Sequence, residues 1–158
     1  MRVTLPRRIG AAGFLLCLTA VLAITLNRTT VDEGRGEWVE FALRVLHRVG
    51  FPDAFGYAHL EFMANVVMFV PLGVLLALAL DPSRRWIAAI ALPLFSVGVE
   101  LFQFFFLPAR YATISDVIAN SIGAWIGVGA VVVLSQFYSR RRRNPDPSRD
   151  QMSVDSRV

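Results

Sequence analysis

The chain has 158 residues, of which 55% are hydrophobic, 11% aromatic and only 18% charged, and its formal net charge is +4. This balance excludes an ordinary soluble domain, although the length fits a single domain. Cys17 is the single cysteine, so an internal disulfide is also excluded.

Four segments are long and apolar enough to cross a bilayer, whose core of about 30 Å requires roughly 20 apolar helical residues. They are residues 9–26, 58–80, 86–107 and 114–138. They predict an all-α integral membrane protein built as a four-transmembrane-helix bundle. We expect the first segment to remain as an uncleaved span, because no small-x-small cleavage site follows Leu26.

Two further segments flank or interrupt these spans. Residues 37–49 predict an extracytoplasmic amphipathic helix, because apolar residues recur at helical spacing and charged residues take the other face. Such a helix either lies in the membrane interface or folds over the bundle as a lid. Residues 1–139 are expected to form the transmembrane domain, and the polar residues 140–158 a disordered basic cytoplasmic tail.

The distribution of arginine predicts the topology. All sixteen basic residues are arginine, and eleven precede the first span, separate the second from the third, or follow the fourth. By the positive-inside rule these regions are cytoplasmic, so both termini lie inside. The run Arg140 to Arg143 directly follows a span, which favours contact with anionic lipid or a topology anchor, and we expect no nucleic-acid partner.

Acidic and amide residues lie inside the predicted spans, where an acidic side chain at the bilayer centre costs at least about 2.5 kcal/mol. Glu61 and Asn65 share one helix face, and Glu100 and Gln103 share another. With Asp116, these residues are all predicted near the outer leaflet. We therefore expect them to face the interior of the bundle and to line an outward-facing polar pocket.

The fourth span carries a stripe that is polar at its start and glycine-rich further on. Asp116, Asn120, Gly123 and Gly127 fall on one face, and the GxxxG pair predicts close approach of another helix backbone. Arg110, in the preceding connection, is the expected counter-charge for Glu100 or Asp116. Helix packing in the second span is expected to involve Pro71, at a kink, and Gly73.

Two interpretations of these polar residues remain open. Thr113 and Asp116 have the spacing of a capping box, so capping and interhelical hydrogen bonds could explain part of the pattern. Alternatively, the surplus of acids over Arg110 implies protonated carboxyl groups or a further cation from Arg48, His59 or a ligand. The second interpretation predicts a binding site.

The intramembrane residues carry a family resemblance. The pattern reads Asn65-x-x-x-Phe69-x-Pro71-Leu72-Gly73, Glu100-x-x-Gln103, Arg110, and Asp116-x-x-x-Asn120-x-x-Gly123-x-x-x-Gly127. From Glu61 to about Gly129 it closely resembles the VanZ-like family of small bacterial membrane proteins. The resemblance implies the bacterial cytoplasmic membrane and an effect at its outer surface, since the name-giving member is linked to teicoplanin resistance. It implies no reaction.

Three functions follow as hypotheses. The first is non-enzymatic binding or shielding of an envelope lipid, a lipid-linked precursor or a glycopeptide drug. Its ligand contacts would be Glu61, Asn65, Glu100, Gln103, Arg110, Asp116 and Asn120. The alternatives are an intramembrane enzyme with Glu100 or Asp116 as general acid or base, and a membrane scaffold using the GxxxG face. The sequence carries no recognised catalytic motif, and we expect neither a cofactor nor a metal.

Overall fold

The computed structural model describes residues 5–26, 36–52, 54–107 and 113–143, and within these ranges the regular structure is helical, without a strand. The helices are α1 (Leu5–Thr25), α2 (Gly36–Arg48), α3 (Tyr57–Ala79), α4 (Trp86–Phe106) and α5 (Ile114–Arg143), with a 3-10 turn at Pro82–Arg84. Within the described ranges, α1, α3, α4 and α5 are long and apolar enough to cross a membrane. The predicted all-α, four-span fold is confirmed.

Helix α5 extends beyond residue 140, where the sequence predicts that a disordered tail begins. The helix continues through Arg143, and Ser139 Oγ donates to the Ser135 carbonyl over 2.8 Å within this last part. Arginine is a good helix former, so a polar composition alone does not end a helix already under way. Residues 144–158 lie outside the described residues, and their disorder stays a prediction.

Helices α3 and α5 form the centre of the bundle and run parallel, because contacts between them advance along both chains together. Helix α1 packs antiparallel on α3, and α4 packs antiparallel on α5. The largest side chains of the core lie at these contacts. One cluster contains Val21, Phe69, Leu72, Leu92 and Ala124, and a second contains Ala77, Ala88, Val128 and Val131.

Glycines allow the backbones of α3 and α5 to touch. A Cβ atom added at Gly73, Gly123 or Gly127 would overlap a backbone carbonyl oxygen of the facing helix. The GxxxG face of α5 therefore receives α3 of the same chain, and a scaffold would need another surface. Pro71 is instead exposed, because it lies two residues, or about 200°, from Gly73 on the helix.

A second proline, Pro93, explains how α4 is joined to α5. Proline has no N–H, so Pro93 cannot donate to the carbonyl of Ala89 four residues earlier. The indole Nε1–H of Trp125 donates to that carbonyl oxygen over 2.8 Å. The Ala89 carbonyl, which has no helical donor because of Pro93, thus receives a hydrogen bond from the neighbouring helix. Such a replacement is needed because hydrocarbon offers no hydrogen-bond partner.

The two ends of the bundle have opposite character. At the end where α3 stops and α4 begins, which we call the basic end, Arg7 pairs with Asp81. There Arg85 donates to the Ala77 carbonyl over 3.2 Å and to Ser135 Oγ over 2.8 Å. These bonds tie α1 to the turn after α3, and α3 to α5. The opposite end, where α3 and α5 begin, carries the intramembrane acids and is called the acidic end.

We predict that Gly123→Ala lowers the free energy of unfolding by about 1–3 kcal/mol, because the added methyl group overlaps the backbone of α3 at Val66. Gly129→Ala is the matched control on the same helix, since a Cβ there meets nothing within 4 Å. It should be neutral or slightly stabilising. Unfolding midpoints in detergent check both variants, and equal effects would contradict the backbone contact.

We also predict that Trp125→Phe destabilises the protein by about 1–3 kcal/mol by leaving the Ala89 carbonyl oxygen without its donor. In a Pro93→Ala background residue 93 regains its N–H, so the same substitution should cost clearly less. Four unfolding midpoints, for the wild type, both single variants and the double variant, test this. A cost of Trp125→Phe that is the same in both backgrounds would show that the indole is not substituting for the missing helical donor.

Candidate functional site

The acidic end is built around a hydrogen bond between the two central helices. Asn65 Nδ2 on α3 donates to Asp116 Oδ1 on α5 over 2.7 Å, and both side chains are half-buried. The parallel arrangement of the helices places the third turn of α3 beside the first turn of α5. Asn65 and Asp116, predicted to line one site, are therefore in direct contact.

A second hydrogen bond connects α4 to the start of α5. The Thr113 hydroxyl accepts the Asp116 backbone N–H over 3.1 Å, as a helix N-cap does. The Thr113 backbone N–H, however, donates to Glu100 Oε2 over 3.0 Å. The predicted capping box is therefore only half present, because Glu100 takes the position that a local box would give to the Asp116 carboxylate. That carboxylate instead accepts from Asn65.

One turn deeper, a buried polar pair joins α4 and α5. Asn120 Nδ2 donates to Ser96 Oγ over 2.9 Å, and Asn120 is only 5% exposed. Its amide oxygen Oδ1 is buried without a hydrogen-bond partner among the described residues. Ser96 was not predicted from the sequence, although it lies four residues before Glu100 and thus on the same face of α4.

Gln103 makes a contact that the sequence did not predict. It is 6% exposed, and its Nε2 donates to the carbonyl oxygen of Thr25, the last residue of α1, over 2.8 Å. The last carbonyls of a helix lack intrahelical donors. Gln103 therefore caps α1 and ties it to α4, while Glu100, three residues away, reaches α5. As a ligand contact, Gln103 stays a prediction.

Two further residues considered in the sequence analysis, Glu61 and His59, lie in the first turns of α3. Glu61 is exposed on α3, one turn before Asn65. Arg110 lies outside the described residues, so its role as counter-charge stays a prediction. His59 is exposed and stacks on Phe55 with ring centroids 5.2 Å apart. Within the described ranges, no three His, Cys, Asp or Glu side chains are grouped so that they could hold a metal ion.

A comparison with protein families matches the chain over most of its length. The family model described as VanZ/LLP1 covers residues 12–135, which include most of α1, all of α2 to α4, most of α5 and every predicted site residue. The chain belongs to the VanZ-like family. Neither the curated proteins nor the solved structures contain a match to it.

The acidic end of this VanZ-like protein is rich in hydrogen-bond acceptors. A carboxyl oxygen accepts hydrogen bonds, as Glu100 Oε2 does from Thr113 and Asp116 Oδ1 does from Asn65. Asn120 Oδ1 adds a buried acceptor one turn below. A surface of this kind is suited to groups that donate hydrogen bonds, such as ammonium and hydroxyl groups.

We predict that Asn65 and Asp116 are energetically coupled. In a double-mutant cycle with Asn65→Ala and Asp116→Ala, the coupling free energy of unfolding should be about 0.5–2 kcal/mol, as found for interhelical hydrogen bonds in membranes. A control cycle pairs Asn65→Ala with Trp125→Phe, which share no partner and should be additive. Additivity of the first cycle as well would contradict the hydrogen bond.

Proposed function

We propose that this VanZ-like protein is a bacterial cytoplasmic membrane protein whose acidic end faces outward, with both termini in the cytoplasm. Eleven of the sixteen arginines precede the first span, separate the second from the third, or follow the fourth in the sequence, which favours the basic end as the cytoplasmic one. Arg7 and Arg85 are examples, and both are engaged in hydrogen bonds there. The acidic end, with Glu100 and Asp116, then lies beneath the outer membrane–water boundary.

The proposed activity is binding of a polar headgroup at the acidic end. The observation that carries this proposal is the pair of bonds at Thr113, which donates its backbone N–H to Glu100 Oε2 and accepts the Asp116 backbone N–H through its hydroxyl. These bonds hold the Glu100 carboxyl group of α4 at the first turn of α5, the turn that carries the Asp116 side chain. Membrane spans keep ionisable groups at a considerable energetic cost, and such groups commonly mark ligand or ion sites. Glu100 accepts from Thr113 and Asp116 accepts from Asn65, although amide or hydroxyl groups would suffice for such ties between helices.

The ligand class follows from the chemistry and position of the cluster. Its acceptors favour a headgroup that carries amino or hydroxyl groups. The outer surfaces of α3 and α4 are lined by exposed apolar residues such as Met63, Val67, Leu101 and Phe105, which suit acyl chains. We therefore propose an envelope lipid, a lipid-linked precursor or an amphiphilic drug as the ligand.

In the cell, we propose that this binding contributes to teicoplanin resistance. Teicoplanin-type drugs act on cell-wall precursors at the outer surface, the side to which we assign the acidic end. Binding or shielding either the precursor or the drug would lower the amount of drug bound to its target. Family membership supports this direction, and the acidic end supplies residues with which to test it.

We predict that Glu100→Gln and Asp116→Asn weaken ligand binding about tenfold or more, because a hydrogen bond to a charged group contributes about 1.5–3 kcal/mol. Glu40→Gln, on the exposed charged side of α2, is the matched control and should leave binding unchanged. The measurement is retention of labelled teicoplanin and of lipid-linked precursor by the protein in bilayer discs.

The same three variants should be compared in a host strain lacking the protein, with membrane levels checked by immunoblotting. The wild type and Glu40→Gln should restore teicoplanin tolerance, and the two site variants should not. If loss of the protein leaves susceptibility unchanged, the resistance role is wrong. If both site variants bind and protect like the wild type, the acidic end is not the binding site.

A further inference from the structure

Helix α2 presents three sides that differ in burial and chemistry. Val39, Ala42, Leu43, Leu46 and His47 are half-buried and lie on one side. A second side carries three apolar residues spaced four apart, Phe41, Val45 and, just after the helix, Val49. They are 55%, 39% and 70% exposed. Glu37, Glu40, Arg44 and Arg48 are all exposed and form the third side. At 100° per residue these sets occupy successive sectors around the helix.

The half-buried side is fixed to the connection that leads into α3. Gly50 adopts a φ of +103°, and the chain ends α2 with bonds from Gly50 N–H to the His47 carbonyl and from Phe51 N–H to the Leu46 carbonyl. His47 Nε2 lies 3.0 Å from the Phe55 carbonyl oxygen, and the Phe55 ring lies edge-on to Phe51 at 5.0 Å. These contacts set which way α2 faces.

The exposed apolar side argues against a closed-lid arrangement of α2. A lid would bury its apolar residues against the bundle, yet Val45 and Val49 point away from it. Other exposed apolar residues follow along the chain, namely Phe51, Tyr57 at the start of α3, and Met63 and Val67 further along that helix. Because α3 is long and apolar enough to cross a membrane, its exposed apolar residues suit contact with lipid.

We infer that α2 is a lipid-binding helix that lies in the membrane interface beside the bundle, with Phe41, Val45 and Val49 among the lipid chains. The charged side faces water, and the half-buried side faces the bundle. The exposed charges are two glutamates and two arginines, so they cancel. Apolar burial therefore drives the insertion, and the partner is the lipid interface in general and not anionic lipid in particular.

Spin labels at single cysteines in a Cys17→Ser background test this inference in lipid bilayers. Labels replacing Val45 and Val49 should collide readily with oxygen, which concentrates in lipid, and poorly with a water-soluble nickel complex. Labels replacing Glu40 and Arg44 should show the reverse preference. Labels at Ala42 and Leu46 should be shielded from both reagents, because their side chains are half-buried.

The outcomes separate the alternatives. The expected pattern should persist when phosphatidylglycerol is replaced by phosphatidylcholine, because the exposed charges of α2 balance. Shielding of residues 45 and 49 from both reagents would show that another part of the protein covers them, as a lid would require. Contact of these two residues with the nickel complex would place them in water. Either result, or dependence of insertion on anionic lipid, would overturn the inference.

Discussion

The contact between the backbones of α3 and α5 sets the geometry of the whole bundle. Gly73, Gly123 and Gly127 remove the side chains that would separate the two helices, and each faces a backbone oxygen of its neighbour. Such a contact fixes the register, because sliding by even one residue would bring a Cβ against a carbonyl. Two to three turns away from these glycines, the same register places Asn65 opposite Asp116. Glycines without functional side chains therefore determine where the polar groups meet.

The polar side chains form layers between helices. Glu100 meets Thr113 at the acidic end, Asn65 meets Asp116 beside them, and Asn120 meets Ser96 one turn deeper. Hydrocarbon offers no hydrogen-bond partners, so each group is held by a neighbouring helix. Hydrogen bonding accounts for the amides and hydroxyls. It does not explain why Glu100 and Asp116 are ionisable carboxyl groups, and this choice supports the proposed ligand site.

Sequence reasoning located the elements well and the partners less well. Span positions and the face carrying Asp116, Asn120 and the glycines depend on length and periodicity, which are local properties. The roles of Gln103 and Glu100 depend on Thr25 and Thr113, which only the tertiary fold brings near. The Trp125 bond to Ala89 was missed as well, although a proline inside a predicted span always frees the carbonyl four residues before it.

The hydrogen bonds at the acidic end join residues that are close or far apart in the sequence, so they can form at different stages of membrane insertion and folding. Thr113 and Glu100 are 13 residues apart, so α4 and α5 can join as a hairpin as soon as both have left the ribosome and entered the bilayer. Asn65 and Asp116 are 51 residues apart, and their bond requires that this hairpin dock on α3. The Asn65 amide therefore reaches the Asp116 carboxyl group when the inserted hairpin docks laterally on α3, and not when the helices enter the bilayer.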